Sequence, residues 1–486
     1  MNPVPGIVDN FVGGAFVPPA GGEYLSNPNP ATGEELCELA RSSEDDVSAA
    51  VEAAHAALRG PWGHTEVEDR ARVLDAIADR IEERFDELVR LEALDTGKPV
   101  HTARNVDIAR AVSNFRFYAG AVRHYSTDTH SMPGGLNYTL RRRLGVVATI
   151  TPWNLPLYLL SWKVAPALAM GNAVVAKPSE VTPLTAHALA DIAQEVGLPA
   201  GVLNVVHGLG SEMGDALTGH PGVKAVSFTG GTVTGHRVAL AAARNLTKTS
   251  LELGGKNPTI VFADADMDVA LDGVLRASFA NQGQVCLCGE RLFVHRSRLD
   301  EVVDGLAARA RALRIGDPLD PATRFGSQVS DAHRDKIERY VQLARDEGGE
   351  VVCGGVRPQI TGAHAAGAWF TPTLIRGLEP TARVATEEVF GPVVTVHPFD
   401  DDAEVVELAN AVEYGLSASI WTRDLRRAHT VAAALDVGTV WVNTWLKRDL
   451  RVPFGGTKKS GQGREGGRYS LEFFSEPKNV CIELGA

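Results

Sequence analysis

The chain has 486 residues, too many for one hydrophobic core, so two or more domains are expected. Apolar residues make up 44% and charged residues 22%, the balance of an ordinary soluble globular protein. The formal net charge is -12 and no basic run exceeds Arg141-Arg142-Arg143, which argues against a nucleic-acid partner.

In chain order, the opening MNPVPGIVDNF has neither the basic start nor the apolar stretch of a secretory signal. Val67, Ala71, Leu74, Ala78, Ile81, Phe85 and Leu88 recur every three or four residues and predict one face of a long helix. The stretch 135–143 alternates Leu136, Tyr138 and Leu140 with polar neighbours, as a half-exposed antiparallel strand does. Short β-branched runs follow at 145–151, 171–176, 202–206, 224–228 and 257–262. Helical patterns separate several of them, and one is expected to run from Thr182 as N-cap, with Pro183 in its first turn, to Gly197. That rhythm predicts a parallel α/β sheet. The most apolar region, 155–176, contains Pro156, Lys163, Pro166 and Asn172, so it reads as buried protein and not as a membrane span.

The second half keeps the α/β character, with strands expected at 292–295, 392–397 and 439–443 and in the tail at 479–484. The strands at 135–143 and 479–484 stand apart from the rest and are expected to pair with each other or with a second subunit. Five scattered cysteines, Cys37, Cys286, Cys288, Cys353 and Cys481, make no disulfide framework and point to a reducing cytoplasm. No His/Cys cluster has zinc-ligand spacing, so no metal is expected.

Five fragments carry chemistry. In NQGQVCLCG (281–289) Gly283 and Gly289 bracket Cys286 and polar residues precede it, as in backbone that opens onto a cleft. A cysteine in an apolar run is more often simple packing, and Cys288 is read that way. In LELGGK (251–256) Glu252 sits between two leucines, where burial would raise its pKa toward the range of a general base; alternatively it is a strand-edge carboxylate in water. TPWNLP (151–156) is a proline-fixed turn after a strand, from which the Asn154 amide could face an oxyanion. AKPSE (176–180) puts Lys177 and Glu180 at a sheet's carboxyl edge, where Glu180 would bond ribose hydroxyls and repel a 2′-phosphate. FTGGTVTG (228–235) supplies glycines between a strand and a helix, suited to a pyrophosphate.

Taken in order, TPWNLP, KPSE, FTGG, LELGGK, GQVC, EEVFGPV (387–393) and PFGGTKKSGQGRE (453–465) resemble the aldehyde dehydrogenase superfamily from about residue 24 to the end. The resemblance implies a Rossmann-like NAD-binding domain (1–123 and 144–253), an α/β catalytic domain (254–467) and a small β oligomerisation element (124–143 and 468–486). It implies NAD as cofactor and a homodimer or homotetramer. It makes Cys286 the nucleophile, Glu252 the base for the deacylating water and Asn154 an oxyanion donor. Trp153, Lys177, Glu180, Gly230, Gly231, Glu388 and Phe390 would hold the dinucleotide. The family usually has Ser where Gly231 stands and often Glu where Val233 stands, so a capping hydroxyl is missing from that helix.

NTWLKRDLRVPF (443–454), REGG (464–467), SLEFFSEPKNVCIEL (470–484) and ARNVDIARAVSNFRFYAG (103–120) look like the 2-hydroxymuconate and 2-aminomuconate semialdehyde dehydrogenases. Their substrates carry a carboxylate remote from the aldehyde, which a bidentate arginine suits. By that pattern Arg448 is the first candidate and Arg104 the second, with Arg110 an alternative. Against it, RDLR is equally a surface loop paired through Asp449. Trp162 and Trp445 are expected along the aldehyde channel, or else are plain core aromatics. The alternatives weighed are a dehydrogenase for neutral or cationic aldehydes of the betaine-aldehyde type, a non-enzymatic structural protein on the same fold, and a cysteine peptidase, for which Cys286 lacks an evident histidine partner.

Overall fold

The computed structural model describes residues 4–485. Two large sheets organise it. The first runs Gly461–Gln462, Lys248–Glu252, Val223–Thr229, Val146–Ile150, Ala173–Lys177, Leu203–Val205, Asn10–Val12, Ala15–Val17. Its five central strands are parallel, and the edges are antiparallel. The chain starts the parallel set at Val146–Ile150, builds outward to one side, then crosses to build the other at Val223–Thr229. Ligands bind α/β sheets at such a switch point, outside the carboxyl ends of the strands.

The second sheet runs Glu350–Cys353, Thr373–Arg376, Val393–Phe399, Arg291–His295, Pro258–Val261, Ser417–Trp421, Thr439–Val442, parallel throughout except at its Glu350–Cys353 edge. Apolar side chains fill both faces of each sheet. That is why these strands read as continuous apolar runs instead of alternating ones. Among the described residues no helix is long and apolar enough to cross a membrane, and no three metal-ligating side chains converge.

Two details differ from the sequence expectations. The long helix breaks at Arg84 into Val67–Glu83 and Phe85–Thr96, because Arg84 leaves helical geometry and reaches Glu87 and Asp191. The helix expected from Thr182 runs Leu184–Glu195, and Thr182 does not cap it; the Asp95 carboxylate, from Phe85–Thr96, accepts the Leu184 N–H at 2.8 Å. The segment 453–465 sends Gly461–Gln462 to the edge of the first sheet, where Gly461 pairs with Glu252. The strand at 135–143 pairs along its whole length with Ser475–Glu483, and with Thr129–Met132 on its other edge.

Candidate active site

Three neighbouring strands of the first sheet end at the same level. Asn154 follows Val146–Ile150, Gly230 and Gly231 follow Val223–Thr229, and Glu252 closes Lys248–Glu252. The second sheet contributes the approach to two of its strands, 281–286 before Arg291–His295 and 387–390 before Val393–Phe399, and the loop after Thr439–Val442. Together these segments enclose a cavity of about 330 Å³, with Asn154, Glu252 and Cys286 in its wall.

Cys286 is presented by a left-handed turn. Asn281, Gln282 and Gly283 have φ of 50°, 57° and 74° in succession. Only glycine adopts that region freely, and a non-glycine residue there stores roughly 1–3 kcal/mol. Gly283 is required twice over, since a Cβ on it would lie 2.3 Å from Gly391 backbone. The turn is bolted to its neighbours: Asn154 Nδ2 donates to the Gln284 carbonyl at 2.9 Å, and Asn257 Nδ2 to the Cys286 carbonyl at 2.7 Å. Burial and the carboxylates of Glu388 and Glu252 push the Cys286 thiol up to about 12, against a smaller pull downward from Arg448 and from its own backbone N–H.

Glu252 is 3% exposed, and neither of its carboxyl oxygens has a hydrogen-bond partner. Burial, reinforced by Glu465, raises its pKa well above the ordinary carboxyl range. Orphaned buried carboxyl oxygens are costly, and they are retained where a reaction uses them. Beside it lies a network invisible to the sequence reading. Lys163 Nζ donates to Glu465 at 2.6 Å and to the Ser227 hydroxyl at 2.9 Å, all three buried. A lysine inside so apolar a helix, Pro156–Ala169, was the signal that could have found it.

At one end of the cavity stand Trp153, Gly230, Gly231, His333, Glu388 and Phe390. A Cβ on Gly230 would fall 2.5 Å from the Phe228 ring, whereas Gly231 faces open space. Gly231 caps the helix Thr232–Ala243 without a side-chain bond, so the first N–H groups stay free for an anion. Glu388 accepts the Gly255 N–H at 2.8 Å; burial and Glu290 raise its pKa to about 7. Phe390 also has positive φ, 58°, and its loop is held by Glu290, which accepts the Val389 and Phe390 N–H groups and pairs with Lys256. Trp153 packs edge-on against Phe390 and against His333, missed by sequence reasoning, whose Nε2 meets the Phe390 carbonyl at 2.7 Å. Lys177 and Glu180 lie off this cavity, paired with each other at 2.7 Å, with the start of the helix Gly210–Thr218 beside the ammonium.

The other end is aromatic around one cation. Arg448 stacks on Phe454 at 3.9 Å and on Trp162 at 5.4 Å, and donates to the Tyr158 hydroxyl at 2.9 Å. No carboxylate among the described residues pairs with it; Asp449 is taken by Arg451 at 2.7 Å. Two expected residues are not brought here. Arg104 points away and pairs with Asp86, because the helix widens into a π segment over Ala103–Ile108 and turns Thr102 and Val106, instead, toward the cavity. Trp445 lies behind the wall, 3% exposed, its Nε1 bonded to the Leu287 carbonyl. Arg110 stacks on Tyr158 and lines an adjoining cavity of about 570 Å³ that it shares with Arg448.

The model of the aldehyde dehydrogenase family matches residues 16–480. The chain belongs to that family. It is 50% identical to a 2-hydroxymuconic semialdehyde dehydrogenase of Pseudomonas sp. (strain CF600), over 98% of this chain and 99% of that one. It is 46% identical to a 2-aminomuconic semialdehyde dehydrogenase of Danio rerio, over 98% of each chain. An aldehyde dehydrogenase from Bacillus cereus solved as an NAD+ complex superposes with a TM-score of 0.95 at 39% identity, covering 98% of this chain and 96% of that one. The fold is therefore the aldehyde dehydrogenase fold, and the protein is an enzyme of that family.

Proposed function

We propose that this aldehyde dehydrogenase oxidises a carboxylate-bearing semialdehyde, of the 2-hydroxymuconate or 2-aminomuconate type, to the acid with NAD. The observation that carries the reading is one cavity whose wall holds Cys286, Glu252 and Asn154 together with the Arg448 guanidinium, which pairs with no carboxylate among the described residues, and with glycines at a helix N-terminus.

Arg448 holds the remote carboxylate and so fixes the aldehyde carbon beside Cys286. The sulfur attacks that carbon, and its proton passes to Glu252, whose raised pKa makes it a fitting acceptor. The Asn154 amide and the Cys286 N–H stabilise the resulting oxyanion; losing one such donor costs about 3–4 kcal/mol. NAD, when bound, would supply the hydride acceptor: Gly230 and Gly231 would hold its pyrophosphate, Lys177 and Glu180 its adenosine ribose, Glu388 its nicotinamide ribose, and Trp153 and Phe390 would wall the ring. Glu252 first releases the thiol's proton to solvent and then deprotonates the water that hydrolyses the thioester left on Cys286.

A cationic aldehyde of the betaine type would meet Arg448 head on, and the charge repulsion argues against that reading. A purely structural role would leave the unpartnered Glu252 oxygens and the strained nucleophile turn without purpose. Arg104 enters as a secondary anchor, since its exposed pair with Asp86 is worth at most about 1 kcal/mol and a substrate carboxylate can displace it. The unit boundaries 1–123 with 144–253, 254–467, and 124–143 with 468–486 belong to the same reading, as does a homodimer or homotetramer. Cys286→Ala should abolish NADH formation from a semialdehyde; full turnover in that variant would end the proposal.

A further inference from the structure

The helix Phe85–Thr96 ends on Gly97, which takes φ 73° and cannot carry a side chain, since a Cβ would lie 2.1 Å from Ser327 Oγ. The chain turns inward there, and Lys98 is carried to 1% exposure. A lysine so deep must spend all its donors on acceptors. One goes to Asp107 Oδ1 at 2.7 Å, and Glu92 stands 3.7 Å away. Another goes to the backbone carbonyl of Asn154, at 2.9 Å.

We propose that Lys98 is a positioning residue, which fixes the Asn154 backbone so that its amide meets the oxyanion, and which ties that point to the π segment lining the substrate end. Asn154 is gripped from both sides. Lys98 and the Asn281 amide both donate to its carbonyl, the latter at 3.0 Å, while its own amide reaches Gln284 in the nucleophile turn. Only one of the two grips on the carbonyl comes from outside the turn, and that one is Lys98. Asp107, its counter-ion, belongs to the π segment Ala103–Ile108, whose Val106 lines the cavity. The ammonium therefore bridges the oxyanion donor and the wall that the substrate touches. Asp107 Oδ2 and Glu92 Oε1 have no hydrogen-bond donor, and burial together with the Asp107 charge beside it raises the Glu92 carboxyl well above its ordinary range. π segments recur at functional sites, and here one carries both Asp107 and the cavity-lining Val106.

The inference rests on Asn154 acting as oxyanion donor, so the test keeps the two apart. Lys98→Met is compared with Lys98→Met/Asp107→Asn, which removes the ammonium together with its hydrogen-bonded counter-ion and so guards against simple misfolding. Single-turnover NADH formation from a semialdehyde is measured alongside cofactor-free hydrolysis of p-nitrophenyl acetate, which uses the same sulfur and oxyanion donor but no hydride. Both rates should fall about 10- to 100-fold, the scale of a misplaced catalytic group, with NAD affinity changed less than about twofold. In an Asn154→Ala background the same substitutions should change the rates by less than about twofold, because the donor they position is gone. Wild-type rates in the double variant, or equal fold losses with and without the Asn154 side chain, would overturn the proposal. Wild type that hydrolyses the ester but makes no NADH would overturn the oxidation reading alone, and Lys98 would then stand or fall on the ester rates.

Discussion

At neutral pH only a minor fraction of the Cys286 sulfur is ionised, since burial and the carboxylates of Glu388 and Glu252 push the thiol up to about 12. Because the shift is upward, the thiolate fraction grows about tenfold per pH unit over the whole accessible range. Alkylation of Cys286 by iodoacetamide should follow it from pH 6 to 9 without levelling; a plateau in that window would show a lower thiol pKa. In the proposed mechanism the raised Glu252 carboxyl serves as base only once it is deprotonated, so thioester hydrolysis should also quicken as pH rises. Glu252→Gln should leave a thioester on the protein, visible as added intact mass, and uninterrupted turnover would remove its assigned role. Arg448→Ala should raise KM for a carboxylated semialdehyde much more than for a neutral aldehyde, whereas equal losses would sink the anchor. That Cys286, Glu252 and Asn154 share one cavity wall was legible because each sits in a short motif at a strand end or a glycine-bracketed turn. Arg104 and Trp445 stand outside the cavity wall for another reason. Motif spacing gives a position along the chain, but a widened helix turn and a bond to Leu287 decided where those two side chains point.

Two loops from one sheet, the nucleophile turn and the Glu388–Phe390 loop, touch through glycines. The Gly283 site leaves no room for even a methyl group beside Gly391. Gly283→Ala combines that clash with a left-handed backbone, and should cost more than about 1–3 kcal/mol and most of the activity. A lowered melting temperature with normal turnover would show that the turn relaxes without moving the sulfur. The strands were readable from their apolar runs, and the pairing of 135–143 with the tail from their isolation. What escaped was termination: Arg84 breaks a periodic helix because of ion pairs made far along the chain, and Asp95 caps a helix it does not belong to. Local pattern carries no record of either.

The small sheet leaves Met132, Leu140 and Ile482 half in water, apolar side chains that a second copy of the chain would cover. Light scattering should give a dimer or tetramer, and Leu140→Asp with Ile482→Asp should release monomers; a monomeric wild type would remove the oligomer from the reading. Assembly also has a schedule. Asn137 and its cross-strand neighbour Asn479 are 342 residues apart. At a ribosome's pace of roughly 5–20 residues per second, the strand Gly135–Arg143 emerges about 20–70 s before its mate is synthesised. For all that time one row of its amides hangs open to any nascent neighbour, and the three consecutive arginines at its end are the charge that discourages a stray strand from zipping on.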